Sequence, residues 1–450
     1  MNQRTFFVKT FGCQMNERDS EIMSQTLSMH GYVEGMVMEQ ADLVILNTCS
    51  IRAKAEQKVM SLLGMLRKAK ASNKGMQICV AGCVAQQEGE KLLERMPHVD
   101  LIIGTQNIYR IGECLEYARK NPGFIAIDLQ DNYDIPRFMP DSDLSANKPA
   151  EFRKFVTIMQ GCNNYCSYCV VPYTRGREVS RKVSDIIDEI KVLIEGGIRE
   201  ITLLGQNVNS YGKTNIVTDN GLPCSFADLL HLVAEIPGLS RLRFTTSNPK
   251  DLSDQLMRCF RDIPILCPQF HLPVQAGSDA VLKRMNRKYS VQQYLELVDT
   301  LRSYRPEIAL STDIIVGFPG ETEEDFQGTM DLLEQVRYHG SFSFKYSDRP
   351  GTRSADFDDK VPEDVKTRRL IEFQARQDEI SLERNREYLG STKEIMVESI
   401  NSDSIKGRTT TNHIVHVDSS GLGDNIRPGD LLMTEIYHAG QHSLKGKINS

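Results

Sequence analysis

The chain has no long apolar run, and this absence excludes a membrane-spanning protein. Among its 450 residues, no apolar stretch reaches the roughly 18 residues that a transmembrane helix needs. The first residues lead directly into a strand-like segment, without the apolar centre of a signal peptide. Internal repeats and low-complexity tracts are also absent. We therefore expect a cytoplasmic protein without a membrane partner, built from about three globular domains of roughly 150 residues each.

Net positive charge is missing as well. The formal net charge is −6 at pH 7, so the chain as a whole exerts no general attraction on nucleic acid. Any binding of RNA must come from local basic patches, although a solvated protein surface is an equally good interpretation of such residues. The candidate RNA-binding residues are Arg175, Arg177, Lys283, Arg284, Arg287, Lys288, Lys406, Arg408, Lys445 and Lys447.

Cysteine is plentiful, with eleven residues, and without an export signal it favours metal binding over disulfides. Cys162, Cys166 and Cys169 follow the spacing C-x3-C-x2-C. Three thiolates this close can hold three corners of a [4Fe–4S] cluster and leave the fourth iron open to a substrate or cofactor. The alternatives are a structural zinc loop or inert buried thiols. Zinc usually takes four ligands in paired C-x2-C groups, and this loop offers no close fourth.

The first 105 or so residues alternate strand-like and helical segments, which predicts a parallel α/β sheet. Three of its strands are followed by cysteines, namely Cys13, Cys49 and Cys83. Because the carboxyl ends of parallel strands meet at one edge, these thiols are expected to converge and hold a second cluster. Three separate buried thiols are the alternative, and Cys79, inside its strand, is expected in the core. The predicted strands are 6–8, 43–46, 78–80 and 101–103, and the predicted helices include 18–30 and 54–70.

A second α/β series begins near residue 154, after a proline-containing linker at 131–150. Six strand and helix units predict a partial, TIM-like (β/α)6 barrel, whose active site would lie at the carboxyl ends of the strands. The three-cysteine loop follows the first strand, at that end. The predicted strands are 155–159, 200–204, 242–246, 269–274, 308–316 and 341–346, and the predicted helices include 183–195, 253–260, 291–304 and 322–338.

Polar residues and glycines at these strand ends are candidates for binding a nucleoside cofactor. Buried polar groups need partners, and such a cofactor would supply them, although each motif alone could serve loop packing. The candidate residues are Tyr168, Gln206, Asn207, Ser247, Gln275, Asp313 and Ile315.

The last part of the chain changes character after a charged helical run at 366–389. Short strands at 393–400, 413–417 and 431–436 are separated by glycine-containing turns. This pattern predicts a small all-β barrel of about 60 residues, the size of oligonucleotide-binding folds.

These features together resemble the methylthiotransferases of the radical S-adenosylmethionine (SAM) superfamily, over nearly the whole chain. The resemblance lies in residues 10–16, 47–49 and 81–83, in 161–177 and in 317–321. The runs 169–178 and 49–52 resemble the branch that acts on N6-isopentenyladenosine in tRNA. One departure is Asn248, where the family pattern suggests histidine, and it affects only a local contact.

The resemblance implies four segments: an N-terminal methylthiotransferase domain at 1–130, the linker, a radical SAM domain at 151–385 and a tRNA-contacting TRAM domain at 386–450. It also implies two [4Fe–4S] clusters and two molecules of SAM per turnover. The first cluster would cleave SAM to a 5′-deoxyadenosyl radical that takes hydrogen from C2 of the adenosine. The second would carry or donate sulfur, which the second SAM methylates. The implied partners are the tRNA anticodon stem-loop, an external electron donor and a sulfur source.

Two other functions remain open at this point. One is the same chemistry on threonylcarbamoyladenosine in tRNA or on a ribosomal-protein aspartate. The other is a two-cluster electron carrier, against which the two three-cysteine sets count, because ferredoxin-type clusters are held by four cysteines. Cleavage of SAM by the reduced protein would distinguish an enzyme from a carrier.

Overall fold

A computed structural model describes residues 3–49, 53–140, 151–418 and 425–448. Residues 50–52 of the branch-like motif, and residues 141–150 of the predicted linker, lie outside this part of the chain. Within it, no helix is both long and apolar enough to cross a membrane.

The N-terminal part is a six-stranded parallel sheet between two layers of helices. The strand order is β2-β1-β3-β4-β5-β6, and separate hydrophobic cores cover its two faces. Every residue of β3 is buried, as expected for a central parallel strand with a continuous apolar sequence. The four predicted strands are confirmed, whereas the three-residue strands β2 and β6 were missed. The elements are β1 Arg4–Thr10, α1 Gln14–Met29, β2 Tyr32–Glu34, β3 Leu43–Thr48, α2 Ala53–Ser72, β4 Gln77–Gly82, α3 Cys83–Arg95, β5 Leu101–Ile103, α4 Ile111–Lys120 and β6 Phe124–Ala126.

The central part is the predicted open barrel of six parallel strands. Two three-stranded sheets, β7-β10-β11 and β12-β13-β14, are joined by a parallel bridge between Leu242 and Leu266. A short antiparallel hairpin, β8 with β9, was not predicted and flanks the cysteine loop. The elements are β7 Arg153–Thr157, β8 Met159–Gln160, α5 Val171–Thr174, β9 Val179–Ser180, α6 Val183–Glu195, β10 Glu200–Leu204, α7 Phe226–Ala234, β11 Arg241–Phe244, α8 Asp254–Asp262, β12 Gln269–His271, α9 Asp279–Arg284, α10 Val291–Tyr304, β13 Ala309–Val316, α11 Glu323–Val336, β14 Gly340–Lys345 and α12 Glu363–Arg386.

The C-terminal part is a closed five-stranded barrel, as predicted, with its own small apolar core. Its strand order is β15-β16-β17-β19-β18, with β17 and β19 parallel and the other pairs antiparallel. Strands β16 and β19 were missed because charged residues alternate with their buried ones. The strands are β15 Thr392–Ile400, β16 Ser404–Thr409, β17 Ile414–Asp418, β18 Leu431–Ala439 and β19 Leu444–Lys447.

The C-terminal barrel lies against the amino-terminal end of the central barrel, away from the cysteine loop. Arg241 Nη1 donates to Arg408 O at 2.7 Å, and Arg243 Nη2 donates to Thr409 O at 3.0 Å. Arg241 is the first residue of strand β11 and Arg243 is the third, and both are buried. The C-terminal barrel therefore does not cover the end of the central barrel that carries the cysteine loop.

Helix α1 attaches the N-terminal sheet to the central barrel through buried ion pairs. Glu189 of α6 accepts from Arg181 at 2.7 Å and also pairs with Arg18 of α1. Asp19 of α1 accepts from Arg175 at 2.6 Å. Because buried charges are stable only when paired, these contacts define one arrangement of the two parts.

Candidate active site

Three cysteines of the N-terminal sheet come together at its carboxyl edge. Cys13 caps the start of α1 after β1, Cys49 follows β3, and Cys83 is the first residue of α3 after β4. These three strands are neighbours in the sheet. Cys13 and Cys49 interact through their thiols, and Cys83 interacts electrostatically with Cys13. In contrast, Cys79 is fully buried in the core below the sheet.

Gly12 allows the chain to pass close to Cys49. Its φ angle is +112°, and a Cβ atom at this position would collide with the Cβ and Sγ of Cys49. A side chain would therefore both strain the backbone and displace one of the three thiols.

The environments of these thiols differ in their effect on ionisation. The hydrogen bond with Cys49 lowers the pKa of Cys13 to about 6, with help from the positive charge of Arg175. Burial raises the pKa of Cys83, and the same arginine works against that rise. Since thiolates are the ligands of iron–sulfur clusters, a nearby positive charge favours the form that binds iron.

The second set of cysteines lies in the loop between β8 and α5. Asn164 Nδ2 donates to Cys162 Sγ at 3.4 Å, and the amide of Cys169 donates to Cys166 O at 3.0 Å. Burial, followed by the neighbouring Cys166, raises the pKa of Cys169 to about 12. These thiols lie close enough to repel one another as anions, and bound iron would remove that repulsion.

The cysteine loop is held at both ends by backbone contacts. Gly161 has a φ of +80°, and a Cβ there would collide with the carbonyl oxygen of Arg177, across the β8 and β9 hairpin. Ser167 Oγ donates to Arg284 O at 2.9 Å, and Ser167 O accepts from the amide of Ser354 at 2.8 Å. The loop therefore has one defined path before any cluster is bound.

Each cysteine set offers three thiol donors. Within the described ranges, no group of three His, Cys, Asp or Glu side chains could hold a single metal ion. In a [4Fe–4S] cluster each cysteine bonds a different iron atom, so the three thiols of a set could hold three irons and leave the fourth open.

Buried polar atoms without partners surround the carboxyl ends of β7, β10 and β11. In the described part of the chain, the unpartnered atoms at this end are Thr157 Oγ1, Gln160 Nε2, Gln206 Nε2, Asn207 Oδ1, Asn209 Oδ1 and Ser247 Oγ. A buried polar atom without a hydrogen bond costs about 1–3 kcal/mol. So many at one mouth of the barrel indicate a site for a polar ligand, and Gln206, Asn207 and Ser247 were predicted to bind one.

The other predicted cofactor residues line the same mouth or the inner wall of the barrel. Tyr168 packs edge-on against Phe318, with ring centroids 6.4 Å apart. Gln275 ends the segment after β12 with a φ of +77°. Asp313 and Ile315 alternate with buried residues of β13, which places them on the inner face.

The inner face also carries two aromatic rings that the sequence analysis did not single out. Phe342 lies opposite Asp313 in the register of β13 and β14, and Phe344 lies opposite Ile315. Their side chains are 57% and 37% exposed, which is high for phenylalanine. The His271 ring lies 6.0 Å from that of Phe342, and His271 Nε2 is 3.4 Å from Asp313 Oδ1. The two rings lie beside Asp313 and Ile315 on one face of the β13 and β14 pair, and we call them the aromatic wall of the barrel.

A single short segment contacts both cysteine sets. The amide of Cys162 donates to Gly176 O at 3.3 Å. The preceding residue, Arg175, acts electrostatically on Cys13 and Cys83. The two sets thus face a common region between the N-terminal sheet and the central barrel.

Comparison with known sequences agrees with this division of the chain. Residues 5–104 match the profile described as "Uncharacterized protein family UPF0004", and residues 156–333 match the Radical SAM superfamily. A curated protein of Desulfotalea psychrophila named tRNA-2-methylthio-N(6)-dimethylallyladenosine synthase is 63% identical over 448 residues, covering 100% of this chain and 99% of its own. A protein of the same name from Geobacter sulfurreducens is 47% identical, covering 98% and 97%.

The chain belongs to the tRNA-2-methylthio-N(6)-dimethylallyladenosine synthase family. Membership makes it a radical SAM tRNA methylthiotransferase, which uses SAM together with [4Fe–4S] clusters. The alternative of a two-cluster electron carrier is thereby rejected.

Solved structures support the fold alone. The radical SAM methyltransferase TsrM from Kitasatospora setae has a TM-score of 0.54 at 14% identity, covering 79% of this chain and 77% of its own. The cobalamin-dependent radical SAM enzyme OxsB has a TM-score of 0.50 at 13% identity, covering 79% and 55%.

The basic residues predicted to contact RNA divide into three groups in this family member. Arg177, Lys283, Arg284, Lys288, Lys445 and Lys447 are exposed, although Arg284 pairs with Asp359 and Lys447 lies 3.4 Å from Glu435. Lys406 and Arg408 both pair with Glu398. Burial alone would raise the pKa of the Glu398 carboxyl, but these basic partners outweigh burial and lower that pKa to about 2.

Arg175 and Arg287 are directed into the protein and not towards a surface that RNA could contact. Arg175 is 3% exposed and pairs with Asp19, because the segment after α5 turns inward under the N-terminal sheet. Arg287 Nη1 donates to Cys166 Sγ at 3.4 Å, and Nη2 donates to Pro273 O at 3.0 Å. Their guanidinium groups therefore face the cysteine sets, which differs from the surface contacts that the sequence predicted.

The structure also gives local roles to residues that the sequence analysis did not assign to the site. Asn16 donates to the carbonyls of Phe11 and Thr48, both at 2.8 Å, and so joins the segments before Cys13 and Cys49. Lys250 Nζ donates at 2.6 Å to Asn164, the residue that also contacts Cys162. Asn248 caps the turn that contains Lys250, which gives the departure from the family pattern a local structural role.

Proposed function

We propose that this protein inserts a sulfur atom and a methyl group at C2 of N6-isopentenyladenosine beside the anticodon of tRNA. The observation that carries the proposal is the contact of one segment, at Arg175 and Gly176, with both cysteine sets. A reaction that needs a radical and a sulfur donor at the same carbon atom requires both groups beside one substrate.

The residues assign a separate role to each cysteine set. Cys162, Cys166 and Cys169 would hold the cluster that binds SAM, and Cys13, Cys49 and Cys83 would hold the auxiliary cluster. When bound, these groups supply the radical and sulfur chemistry, which no amino-acid side chain can perform on an aromatic C–H bond. Two SAM molecules per turnover, an external electron donor and a sulfur source complete the proposed reaction.

The protein's own polar residues would position SAM. The unpartnered atoms of Gln206, Asn207 and Ser247 can hydrogen-bond its ribose, amino and carboxylate groups. Tyr168, Gln275, Asp313 and Ile315 would complete its surroundings. Gln206 Oε1 already accepts from the amide of Gly161, so one amide side chain joins the cysteine loop to this site.

The aromatic wall of the barrel would receive the substrate base. A base must leave its stack to reach a buried radical, as in other base-modifying enzymes. Phe342 and Phe344 offer a π face for adenine and an apolar surface for the isopentenyl group. A flipped base that packed against the two rings would cover their exposed surface.

We further assign residues 1–130 to the methylthiotransferase domain, 131–150 to a linker, 151–385 to the radical SAM domain and 386–450 to a tRNA-binding TRAM domain. The strand order of the closed barrel supports the last assignment, because it is that of oligonucleotide-binding folds. The exposed residues Arg177, Lys283 and Lys288 would contact RNA near the active site. A cytoplasmic location follows from the proposed substrate.

Mass spectrometry of nucleosides tests the proposal. Reconstituted, reduced enzyme is incubated with tRNA carrying isopentenyladenosine, threonylcarbamoyladenosine or unmodified adenosine. We expect the 2-methylthio product with the first tRNA alone. Product with threonylcarbamoyladenosine, or equal turnover of all three, would contradict the assigned substrate.

A further inference from the structure

Arg175 occupies an unusual position for an arginine of the central barrel, because it reaches the cysteines of the other domain. It follows Cys169 by six residues, through α5, and then enters the interface with α1. Thr105 Oγ1 donates to Thr174 O at 2.6 Å, which holds the preceding residue against the N-terminal sheet. The guanidinium is thereby placed under the carboxyl edge of that sheet.

The guanidinium has one set of donors occupied and one donor free. Nη2 donates to Asp19 Oδ2 at 2.6 Å and to Asn16 Oδ1 at 3.1 Å. Nη1 is buried and lacks a hydrogen-bond partner among the residues that the structure describes. The positive charge of the same group acts on Cys13 and Cys83. The guanidinium also interacts with the side chain of Cys83, so it is directed towards the cysteines.

We propose that Arg175 is a positioning residue for the auxiliary cluster. From the radical SAM domain, it supplies a positive charge and a hydrogen-bond donor to that cluster. Asp19 and Asn16 orient the guanidinium, and the free donor Nη1 is directed to a sulfur of the bound cluster. This inference rests on the proposed function, since it requires the auxiliary cluster. It adds that docking of the two domains completes the electrostatic environment of that cluster.

The physical consequence concerns the reduction potential of the cluster. Reduction adds negative charge, and nearby positive charge or donors to sulfur stabilise the reduced form. Arg175 should therefore raise the potential of the auxiliary cluster, whereas the carboxylate of Asp19 should moderate that effect. A residue that only supported the fold would not give shifts of opposite sign when it and its partner Asp19 are changed in turn.

The experiment isolates the auxiliary cluster in the full-length chain. Cys162, Cys166 and Cys169 are replaced by alanine, and the midpoint potential of the remaining cluster is measured by redox titration with electron paramagnetic resonance. In this background we expect Arg175→Met to shift the potential to more negative values. Asp19→Asn should shift it to more positive values, because it leaves the guanidinium charge uncompensated. Arg110→Met, which removes an exposed arginine of the N-terminal domain that holds the auxiliary cysteines, should leave it unchanged.

Several outcomes would overturn the inference. Shifts of the same sign for Arg175→Met and Asp19→Asn, or no shift in either, would exclude the proposed role. If Arg175→Met does not fold, Arg175→Lys and Asp19→Asn test the proposed role of Arg175 instead. We then expect a smaller negative shift from lysine, which keeps the charge but loses the fork of donors. Potentials equal to the parent's in both would reject the role. A parent chain that retains no iron would instead contradict the auxiliary cluster and the proposed function.

Discussion

Cys79 and Cys83 are four residues apart, and the structure gives them opposite surroundings. Cys79 is buried in the core of the sheet, whereas Cys83 starts α3 beside Cys13. We expect Cys83→Ala to lower the iron content from about eight to about four atoms per chain, because one of two clusters is lost. Cys79→Ala should retain about eight. Iron analysis of the reconstituted proteins provides the measurement. Loss of iron in Cys79→Ala but not in Cys83→Ala would contradict the assignment of the ligands from their positions at strand ends.

The two cysteine sets should separate radical formation from sulfur insertion. Alanine at Cys162, Cys166 or Cys169 should abolish formation of 5′-deoxyadenosine, because the open iron that holds SAM is lost. Alanine at Cys13 should preserve that product but stop formation of the methylthio nucleoside. Chromatography of both products from one reaction provides the measurement. Full cleavage of SAM by a Cys166→Ala protein would reject the assignment of the first set.

The aromatic wall of the barrel gives a prediction about substrate affinity. Phe342→Ala or Phe344→Ala should weaken binding of the isopentenylated anticodon stem-loop by about 1–3 kcal/mol, the usual value of one stacked base. Ile371→Ala removes a similarly exposed apolar side chain from the outer helix α12 and should have no effect. Fluorescence anisotropy with labelled stem-loops provides the measurement. An equal loss for the stem-loop without the isopentenyl group would mean that the wall recognises only the base.

At the level of single residues, the sequence predicted thiols better than arginines. A cysteine at the end of a parallel strand has its position set by the strand itself, as for Cys13, Cys49 and Cys83. The fate of Arg175 depends on where Asp19 lies, which is 156 residues away in the chain. From a local charge pattern alone, an arginine that binds phosphate cannot be distinguished from one that pairs with a buried carboxylate.

Elements were predictable where their hydrophobic signal was long. Helices Val183–Glu195 and Val291–Tyr304 and strand Glu200–Leu204 match the predicted bounds, because caps and apolar runs define them. Among the strands of two or three residues, β2, β6, β8 and β9 were missed, whereas β5 was predicted. Their pairing with a neighbouring strand stabilises them, and that neighbour cannot be read from so few residues.

The contact between α1 and α6 leads to a prediction about stability. Glu189 is fully buried between Arg18 and Arg181, so Glu189→Gln leaves Arg181 without its carboxylate and Arg18 with only Glu21 as an acidic partner. We expect a loss of about 3–5 kcal/mol in the free energy of unfolding. Glu113→Gln breaks an exposed pair with Arg110 and should cost less than about 1 kcal/mol. Denaturant titration of the cluster-free proteins compares them, and similar losses would show that the interface does not depend on this network.

At the scale of the whole molecule, the exposed basic residues that were predicted to contact RNA lie in two separate regions. The cysteine loop lies at the carboxyl end of the central barrel, and the C-terminal barrel covers the amino-terminal end through Arg241 and Arg243. The sequence predicted both barrels but not this arrangement, since the contacts join residues about 167 positions apart in the chain. A tRNA held by both parts must therefore extend along the side of the central barrel.

This arrangement predicts how tRNA binding depends on salt. Lys283→Ser with Lys288→Ser, near the cysteine loop, and Lys445→Ser with Lys447→Ser, on the C-terminal barrel, should each weaken binding. Each lost phosphate contact should reduce the slope of log affinity against log salt by roughly one. The two pairs should act additively because they are far apart. Lys406→Ser should have a smaller effect, since Glu398 already pairs with that lysine.

Affinity measurements across a salt series test these effects, with Lys191→Ser on the exposed side of α6 as the matched control. An unchanged slope for the Lys445 and Lys447 pair would show that the C-terminal barrel does not hold tRNA through these lysines. The role would then pass to Arg177 and the residues around Lys283, which lie on the side of the active site. Because the substitutions leave Arg241 and Arg243 with their backbone partners, the result would not be confused with loss of the barrel interface.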